Sequence, residues 1–285
     1  MTNIINGKEI AQNLIDNLKK EVEKLDTKPT LAVIIVGSNP ASKIYVKNKT
    51  KKAQEVGFNS ILKELDENIT KEELLTVIEK LNNDDSVNGI LLQLPLPNHL
   101  DEKDFLDKIS PLKDVDGFNT YNAGKLTKGE IPYAIPCTPK GIITLLELNN
   151  IEIEGKIAVV IGRSNIVGKP IANLLLQKNA TVIQAHSKTK NLKEITLMAD
   201  ILVSATGQAE FIKGDMIKEN AVVIDVGIVK NDNGKLKGDI LFNEAINKAS
   251  FITPVPGGVG PMTIATLMEN TLKLYLLQKG IKWKI

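Results

Sequence analysis

The sequence predicts a two-domain α/β protein, and three observations support this prediction. Its 285 residues correspond to about two domains of usual size. Apolar runs typical of buried strands alternate with amphipathic helical runs, which indicates parallel strands joined by crossover helices. A turn-rich stretch at about 110–137 interrupts this series, and the alternation then starts again. We therefore predict one α/β domain on each side of that stretch.

The first αβ series precedes the turn-rich stretch. Its predicted elements are, in order, a helix at 8–25, a strand at 31–36, a helix at 41–56, a strand at 59–65, a helix after Thr70 and a strand at 87–94. The run LAVIIV makes the first of these strands a buried one. Thr70 with Glu73 three residues later forms a capping box, which places the start of the third helix.

The second series follows the stretch. Its predicted elements are a helix at 139–150, a strand at 156–162, a helix at 168–179, a strand at 180–186, a helix at 191–198, strands at 200–206 and 221–227, and a helix at 262–279. Thr138 and Pro139 suit the N-cap and first turn of the first helix. The last helix is apolar on one face, and we expect it to cross back to the first domain. The predicted domains are residues 1–120 plus a C-terminal helix at 265–285, and a Rossmann-like domain at 138–264 with a parallel sheet.

Composition argues against several classes of function. The net charge is +2 and lysines are scattered, so nothing points to nucleic acid or to an anionic membrane. Cys137 is the only cysteine, which fits a reducing cytosol. The two histidines, His99 and His186, are far apart, which disfavours metal sites and Ser-His-Asp chemistry. No apolar run could cross a bilayer and no signal peptide is visible, so we expect a cytoplasmic protein without a metal.

The segment VVIGRSNIVGKP predicts a dinucleotide-binding turn. It contains a strand, a glycine turn and a helix start, where free backbone N–H groups and the positive helix end bind a pyrophosphate. Its spacing, Gly162-x-Ser164-x-x-x-Gly168, departs from the usual G-x-G-x-x-G. The alternative is a tight turn of any α/β protein. We favour a cofactor because the next strand supports one.

That next strand ends in QAHSKTK, without the Asp or Glu that grips the ribose of NAD. A 2′-phosphate would be attracted by Arg163 and Ser187, with Lys188 or His186 as further candidates. Arginine binds phosphate in bidentate fashion. The sequence therefore favours NADP over NAD. The alternative for His186 is a plain surface imidazole at a strand end.

Two later segments complete the predicted ligand sites. DVGIV, at 225–229, ends a strand and should place Ile228 against the nicotinamide half of the cofactor. TPVPGGVGPMT directly precedes the last helix. In it Gly257, Gly258 and Gly260 allow the backbone to approach a ligand, and Pro261 suits a first helical turn.

A possible catalytic pair lies on the helix at 41–56, where Tyr45 and Lys49 are neighbours one turn apart. From spacing alone, a solvated polar face is the better interpretation. Short-chain dehydrogenases also carry a Tyr-x-x-x-Lys pair, but there the pair follows the nucleotide-binding strands. Here it precedes them by more than a hundred residues.

Gln93 changes that interpretation. It lies near the end of an apolar strand, where a buried amide without partners costs roughly 1–3 kcal/mol, so it should have a specific partner. Ligands bind at the carboxyl ends of parallel strands, and the helix carrying Lys49 follows such an end. We therefore expect Lys49 and Gln93 to meet. The turn KDVDGFN adds Asp116, whereas Asp114 is best explained as a turn former.

Seven segments together resemble the bifunctional methylenetetrahydrofolate dehydrogenase/methenyltetrahydrofolate cyclohydrolase family. They are Ser42-x-x-Tyr45-x-x-x-Lys49, QLPLP, KDVDGF, PCTPKG, GRSNIVGKP, HSKT and TPVPGGVGPMT. Each is weak alone, but the set occurs in the family's order and spans nearly the whole chain. The resemblance implies an active-site cleft between the domains. It also implies that a hydride passes from 5,10-methylenetetrahydrofolate to NADP⁺, and that water then opens the methenyl product to 10-formyltetrahydrofolate.

The resemblance implies roles for residues of the folate site. Lys49 would be the central catalytic residue of the hydrolysis, with Gln93 as its hydrogen-bond partner. Tyr45 would stack on the folate and Asp116 would bind the pterin. Two further residues would help to wall the site: Gly258 and Pro261.

Around the cofactor, the resemblance implies that Arg163, Ser164 and Ser187 hold the phosphate region. Gly162 would form the turn, and Ile228 would lie against the cofactor. Because members of the family are usually homodimers, the resemblance implies a homodimer as well.

The lack of a histidine base fits this chemistry. Hydride removal leaves a cation shared by two nitrogens and requires no proton abstraction from carbon. The hydrolysis needs one group that exchanges protons near neutrality, and burial can lower the pKa of a lysine by up to about 3–5 units. Our hypothesis is that Lys49 works partly neutral, oriented by Gln93.

Three other functions stay open at this point. A dehydrogenase without the hydrolytic step is one, although the intact Lys49–Gln93 pair argues against it. A two-domain dehydrogenase of amino acids or hydroxy acids is another, and it would generally need an acid–base group for a carbonyl. A non-catalytic nucleotide-binding regulator is the third, and it leaves the converging polar residues unexplained.

Overall fold

A computed structural model gives the structure of the chain and describes residues 2–230 and 234–282. The strands are β1 (Asn3–Ile4), β2 (Thr30–Val36), β3 (Asn59–Leu65), β4 (Gly89–Leu92), β5 (Ile157–Ile161), β6 (Thr181–Ala185), β7 (Ile201–Ser204), β8 (Val222–Asp225), β9 (Val229–Lys230), β10 (Leu236–Lys237) and β11 (Phe251–Ile252). The helices are α1 (Gly7–Glu23), α2 (Pro40–Val56), α3 (Lys71–Asn82), α4 (Lys103–Leu106), α5 (Thr120–Thr127), α6 (Cys137–Leu148), α7 (Gly168–Gln177), α8 (Leu192–Thr196), α9 (Phe242–Ala245) and α10 (Val259–Gln278).

The chain divides into two compact units. Met1–Gln12 and Thr138–Thr263 form one, which we call the six-stranded unit. Asn13–Cys137 and Ile264–Ile285 form the other, the three-stranded unit. Within residues 2–230 and 234–282, every helix is too short or too polar to span a membrane.

The six-stranded unit is built on a parallel sheet. Its described strands follow the order β1-β11-β8-β7-β5-β6. Apolar side chains of β5, β7 and β8, such as Val159, Leu202 and Val223, are fully buried in its core. The chain order along the sheet reverses at β5, whose neighbours are β6 and β7. The carboxyl ends of the strands at such a reversal form the usual ligand crevice of an open α/β sheet.

The predicted domain boundaries differ from the structure at the amino terminus. The prediction places all of residues 1–120 in one domain, but β1 pairs with β11 in the register Asn3↔Phe251 and Ile4↔Ile252. Met1–Gln12 therefore belongs to the six-stranded unit. The start of α1 is held there as well, because Lys8 N donates to Gly257 O at 3.0 Å. A strand of two residues is too short to show the alternation by which strands are predicted.

The three-stranded unit contains a parallel sheet in the order β3-β2-β4. Helix α10 is anchored on this unit by buried polar side chains. Asn270 Nδ2 donates to Val115 O at 2.9 Å and to Ile135 O at 2.8 Å, and the Tyr275 hydroxyl donates to Thr27 O at 2.8 Å. The helix is buried on most sides, whereas one apolar face was predicted. Residues 283–285 of the predicted segment 265–285 lie outside the described residues.

The longer elements begin and end within about three residues of their predicted positions. One cap prediction is wrong. Helix α6 begins at Cys137, so Thr138 lies inside it, and the Thr138 hydroxyl contacts that of Thr263 at 2.9 Å. The elements that sequence analysis did not predict, such as β9, β10, α4 and α9, are mostly four residues or shorter. Segments of that length carry too few side chains to reveal a period.

The capping box of α3 is present and generates a stability prediction. Glu73 N donates to Thr70 Oγ1 at 3.2 Å, and Thr70 N donates to Glu73 Oε2 at 2.9 Å. Replacing Thr70 by Ala removes the acceptor for an otherwise unpaired helix N–H, so we expect a loss of about 1 kcal/mol in the free energy of unfolding measured with urea. Thr76→Ala is the matched control, because Thr76 lies inside the same helix and bonds only to Glu72 O. Equal urea midpoints for the two variants would contradict the prediction.

Candidate active site

The predicted contact between Lys49 and Gln93 is present in the three-stranded unit. Lys49 Nζ donates to Gln93 Oε1 at 3.0 Å. Helix α2 follows β2, Gln93 follows the last residue of β4, and these two strands are paired through Ile34 and Leu92. Gln93 Nε2 donates to Leu94 O at 2.6 Å, which turns the amide oxygen toward Lys49. Both side chains are half-buried, so a ligand can reach them.

Tyr45 lies one turn before Lys49 on α2, and 42% of its surface is exposed. Its ring is therefore available for stacking on a flat ligand. Ser42, the first residue of the same motif, is buried, and its N–H donates to Asn39 Oδ1 at 3.1 Å. Ser42 thus belongs to the start of the helix and takes no visible part in a site.

Asp116 lies close enough to Lys49 for their charges to interact. Burial raises the pKa of the Asp116 carboxyl, while the Lys49 ammonium and a hydrogen bond from Cys137 oppose this rise. The Cys137 Sγ lies 3.8 Å from Asp116 Oδ1 and 3.5 Å from Val115 O. A half-buried carboxyl beside an ammonium can accept hydrogen bonds from a polar heterocycle, and in its protonated form it can also donate one.

Asp114 holds the turn that carries Asp116. Its carboxylate is buried and accepts hydrogen bonds from Gly117 N at 3.0 Å, Asn119 N at 2.8 Å and Asn122 Nδ2 at 3.0 Å. Burial raises the pKa of Asp114 to about 6, although these donors favour the ionised form. Sequence analysis treated Asp114 as a turn former, which agrees with these contacts but missed its burial.

In the six-stranded unit, the turn between β5 and α7 is closely packed. Gly162 has a φ of +130°, and a Cβ there would lie 2.5 Å from Ala205 O. A Cβ on Gly168 would overlap the Gly162 carbonyl. Ser164 Oγ accepts from Val167 N at 3.2 Å and from Gly168 N at 3.3 Å, which leaves its O–H free to donate.

The N–H groups of residues 163–166 have no hydrogen-bond acceptor in the described part of the chain, so they are available to an anion. Arg163, the single arginine of the sequence, is exposed and has no ion-pair partner among the described residues. Arg163 and Ser187 each follow by two residues a paired strand end, Ile161 of β5 and Ala185 of β6, so both lie at the carboxyl ends of neighbouring strands. This edge fits the phosphates of a dinucleotide.

His186 and Lys188 organise the turn around Ser187. His186 Nδ1 accepts from Lys188 N at 3.2 Å, and Thr189 N donates to His186 O at 2.8 Å. This arrangement places the exposed Ser187 at the tip of the turn. Because His186 Nδ1 is already occupied, the histidine has a structural role in the turn.

The remaining predicted residues also lie in the six-stranded unit. A small cavity of about 120 Å³ is lined by Ile228 on one side and by the segment 254–261, with Gly258 and Pro261, on the other. Ile228 is 42% exposed. A Cβ on Gly260 would lie 3.4 Å from Ile228 Cδ1, so a glycine there keeps this contact loose.

Sequence analysis missed two buried acids near Ile228, namely Asp225 and Asp239. Burial raises the pKa of Asp225 to about 7. The available signal was an Asp that directly follows the apolar run of β8, but only Ile228 was singled out there. Over residues 2–230 and 234–282, no group of three His, Cys, Asp or Glu side chains is arranged to hold a metal ion.

Two family models match the chain. The catalytic domain of tetrahydrofolate dehydrogenase/cyclohydrolase matches residues 5–116, and the NAD(P)-binding domain of the same family matches residues 136–279. A bifunctional protein FolD from Oceanobacillus iheyensis is 58% identical over 276 residues, which cover 96% of this chain and 96% of that protein.

Solved structures agree with these matches. The bifunctional enzyme FolD, a methylenetetrahydrofolate dehydrogenase/cyclohydrolase from Campylobacter jejuni, is 47% identical with a TM-score of 0.96, covering 98% of this chain and 99% of that one. The N5,N10-methylenetetrahydrofolate dehydrogenase-cyclohydrolase of Trypanosoma brucei was solved with NADP and an inhibitor. It is 39% identical with a TM-score of 0.92, covering 96% of this chain and 97% of that one.

Asp114 generates a prediction about pH. Its pKa of about 6 in the folded chain exceeds the value of about 3.9 expected for an unfolded chain. The folded state therefore keeps the proton longer, and stability falls as the pH rises from about 4 to about 6, by roughly 2–3 kcal/mol. Asp114→Asn lacks this dependence. We expect the unfolding free energy of the parent minus that of the variant, from urea titrations at several pH values, to fall by this amount across that range. A constant difference from pH 4 to pH 7 would contradict the shift.

Proposed function

Because the chain belongs to the tetrahydrofolate dehydrogenase/cyclohydrolase family, we propose that it catalyses two successive reactions on a one-carbon folate. The first oxidises 5,10-methylenetetrahydrofolate to 5,10-methenyltetrahydrofolate with NADP⁺. The second hydrolyses that product to 10-formyltetrahydrofolate. The hydrogen bond of 3.0 Å between Lys49 and Gln93 carries the proposal, since hydride transfer alone would not require this pair.

The family matches confirm the resemblance drawn from the motifs. They also confirm the two-domain α/β fold with a parallel sheet in the NAD(P)-binding domain. The similar proteins are named as bifunctional, which favours two activities over a dehydrogenase alone. The predicted NADP cofactor agrees with the NAD(P)-binding domain and with the NADP complex of the Trypanosoma brucei protein.

For the hydrolysis, we assign the proton-transferring role to Lys49. Its ammonium group is directed by Gln93 Oε1, and the amide of Gln93 is in turn held by Leu94 O. A general acid–base group must lie within hydrogen-bond reach of the reacting water or nitrogen, and such groups typically contribute 10²–10⁴-fold to a rate. The half-buried position of Lys49 allows that reach while limiting contact with bulk water.

For folate binding, we assign Asp116 to the pterin and Tyr45 to stacking. The support is the half-buried Asp116 carboxyl, with its raised pKa, and the exposed Tyr45 ring on the same helix face as Lys49. Gly258 and Pro261 remain candidates for walling the substrate, on the basis of the family resemblance.

For the cofactor, we assign the 2′-phosphate to Arg163 and Ser187, and the pyrophosphate to the free N–H groups of residues 163–166. Gly162 and Ser164 shape that turn, and Ile228 would contact the nicotinamide half. Bound NADP⁺ supplies the hydride acceptor. The protein contributes the orientation of this acceptor. In addition, no Asp or Glu stands at the end of β6, so no carboxylate there would repel the 2′-phosphate.

An assay of the purified protein tests the proposal as a whole. Methylenetetrahydrofolate is supplied with NADP⁺ or NAD⁺, and the absorbance of methenyltetrahydrofolate is followed. If the protein has both activities, it will hydrolyse methenyltetrahydrofolate that is supplied alone. With a monofunctional dehydrogenase, this hydrolysis would proceed only at its spontaneous rate. We also propose a cytoplasmic homodimer that binds neither nucleic acid nor membrane, and sedimentation would measure the dimer directly.

Lys49 generates the first activity prediction. Lys49→Met keeps the aliphatic stem and removes the ammonium, so hydrolysis of methenyltetrahydrofolate should fall by at least about 100-fold while hydride transfer stays measurable. Lys47→Met is the control, because Lys47 is exposed on the same helix and has no assigned role. Hydrolysis at the parent rate by the Lys49 variant would rule out the assigned role.

Arg163 generates the second activity prediction. Charge-assisted hydrogen bonds contribute about 1.5–3 kcal/mol, so Arg163→Ala should raise the KM for NADP⁺ by about 10–100-fold. The KM for NAD⁺, which lacks the 2′-phosphate, should change little. Lys178→Ala is the control, because Lys178 lies at the other end of α7 and pairs with Glu147. An equal loss with both cofactors would show that Arg163 does not read the 2′-phosphate.

A further inference from the structure

Two buried carboxylates lie at the carboxyl edge of the six-stranded sheet and have no role in the function proposed above. Asp225 is the last residue of β8, and Asp239 follows β10. Their exposures are 4% and 0%. Burial of an acid is costly unless its oxygens are fully hydrogen-bonded. The donors to these two carboxylates therefore identify the segments of chain that the acids hold in place.

Asp239 holds the loop that follows β7. Its Oδ2 accepts from Ser204 Oγ at 3.0 Å and from Thr206 N at 2.6 Å, and its Oδ1 accepts from Gln208 N at 3.0 Å. Ser204 is the last residue of β7. One side chain therefore fixes the path of the chain as it leaves that strand.

Asp225 holds the loop that follows β8 and joins it to the Asp239 segment. Its Oδ1 accepts from Gly227 N at 3.0 Å and from Asp239 N at 2.9 Å, and its Oδ2 accepts from Ile240 N at 3.0 Å. Ser204 and Asp225 are partners in the β7–β8 ladder, so the two loops start side by side.

Two glycines fit closely around these acids. A Cβ on Gly227 would overlap the carboxylate of Asp239, and a Cβ on Gly238 would overlap that of Asp225. Ile228 follows Gly227 directly, and it is exposed at the edge of the cavity described above. The position of Ile228 is therefore set by the carboxylate pair.

We propose that Asp239 and Asp225 are positioning residues for the nicotinamide half of the dinucleotide, acting through the loops that follow β7 and β8. The inference rests on the proposed function. In a sheet of this order, the adenosine half lies over the ends of β5 and β6, where Arg163 and Ser187 are found, and the other half lies over the strands beyond the reversal. Both carboxylates accept hydrogen bonds from the backbone that would meet the second half.

Asp200 provides a matched comparison at the opposite edge of the same sheet. It precedes β7, and its carboxylate accepts from Ile157 N at 2.9 Å and from Lys218 Nζ at 2.6 Å. Asp200 thus also stabilises the sheet through a backbone N–H, but at the amino ends of the strands, away from the ligand edge. A purely structural effect of a lost aspartate should therefore appear at both positions.

The experiment compares Asp239→Asn, Ser204→Ala and Asp200→Asn with the parent protein. Titration calorimetry measures the affinity for NADP⁺ and for adenosine 2′,5′-bisphosphate, which carries the adenosine phosphates without the nicotinamide. Hydrolysis of methenyltetrahydrofolate, which consumes no NADP⁺, and the thermal midpoint report on the remaining structure. Ser204→Ala removes one donor and leaves two backbone donors to Asp239, so it remains informative where Asp239→Asn fails to fold.

We expect Asp239→Asn to weaken NADP⁺ binding by about 10–100-fold and Ser204→Ala by about 3–10-fold, with adenosine bisphosphate affinity and hydrolysis unchanged. Asp200→Asn should lower the thermal midpoint without changing either affinity. Two results would overturn this inference and leave the proposed function intact. One is that Asp239→Asn weakens the binding of NADP⁺ and of adenosine 2′,5′-bisphosphate equally, and the other is that NADP⁺ affinity is unchanged in both Asp239→Asn and Ser204→Ala. A parent protein that binds neither ligand would overturn the proposed function and this inference with it.

Discussion

Parallel pairing makes neighbouring strands finish at a common edge, and each of the main candidate groups follows such an end. Lys49 lies on the helix after β2 and Gln93 follows β4, and these strands are neighbours. Arg163 and Ser187 follow β5 and β6, which are neighbours in the other sheet. Residues distant in sequence are thus brought together by the strand ladder. The side chains need only short additional contacts, such as the amide of Gln93 against Leu94 O, to fix their final direction.

A second constraint concerns the acids that stabilise these edges. Asp114, Asp225 and Asp239 are all buried, and each accepts several hydrogen bonds from its surroundings, most of them from backbone N–H groups. A turn held in this way loses little freedom when a ligand arrives, because its conformation is already fixed. The cost is that the carboxylates must be desolvated, and this is why burial raises the pKa of Asp114 and of Asp225.

Sequence analysis predicted the αβ alternation from hydrophobic period, and the Lys49–Gln93 contact from a polar residue in an apolar strand and from the carboxyl ends of parallel strands. It failed where those signals are absent. Strand β1 has two residues, and its partner β11 lies near the other end of the chain, so no local pattern reveals the pairing. Sequence analysis missed Asp239 for a related reason. Its hydrogen-bond donors come from residues 204–208, and no spacing in the sequence predicts that an acid from a distant loop will meet them.

The pairing of β1 with β11 also has a consequence for biosynthesis. Asn3 and its partner Phe251 are separated by most of the 285 residues. Because a chain is synthesised from its amino end, β1 is made long before β11, and its strand edge stays unpaired and exposed to wrong partners until β11 emerges. Vectorial synthesis thus postpones completion of this sheet until β11 has been translated.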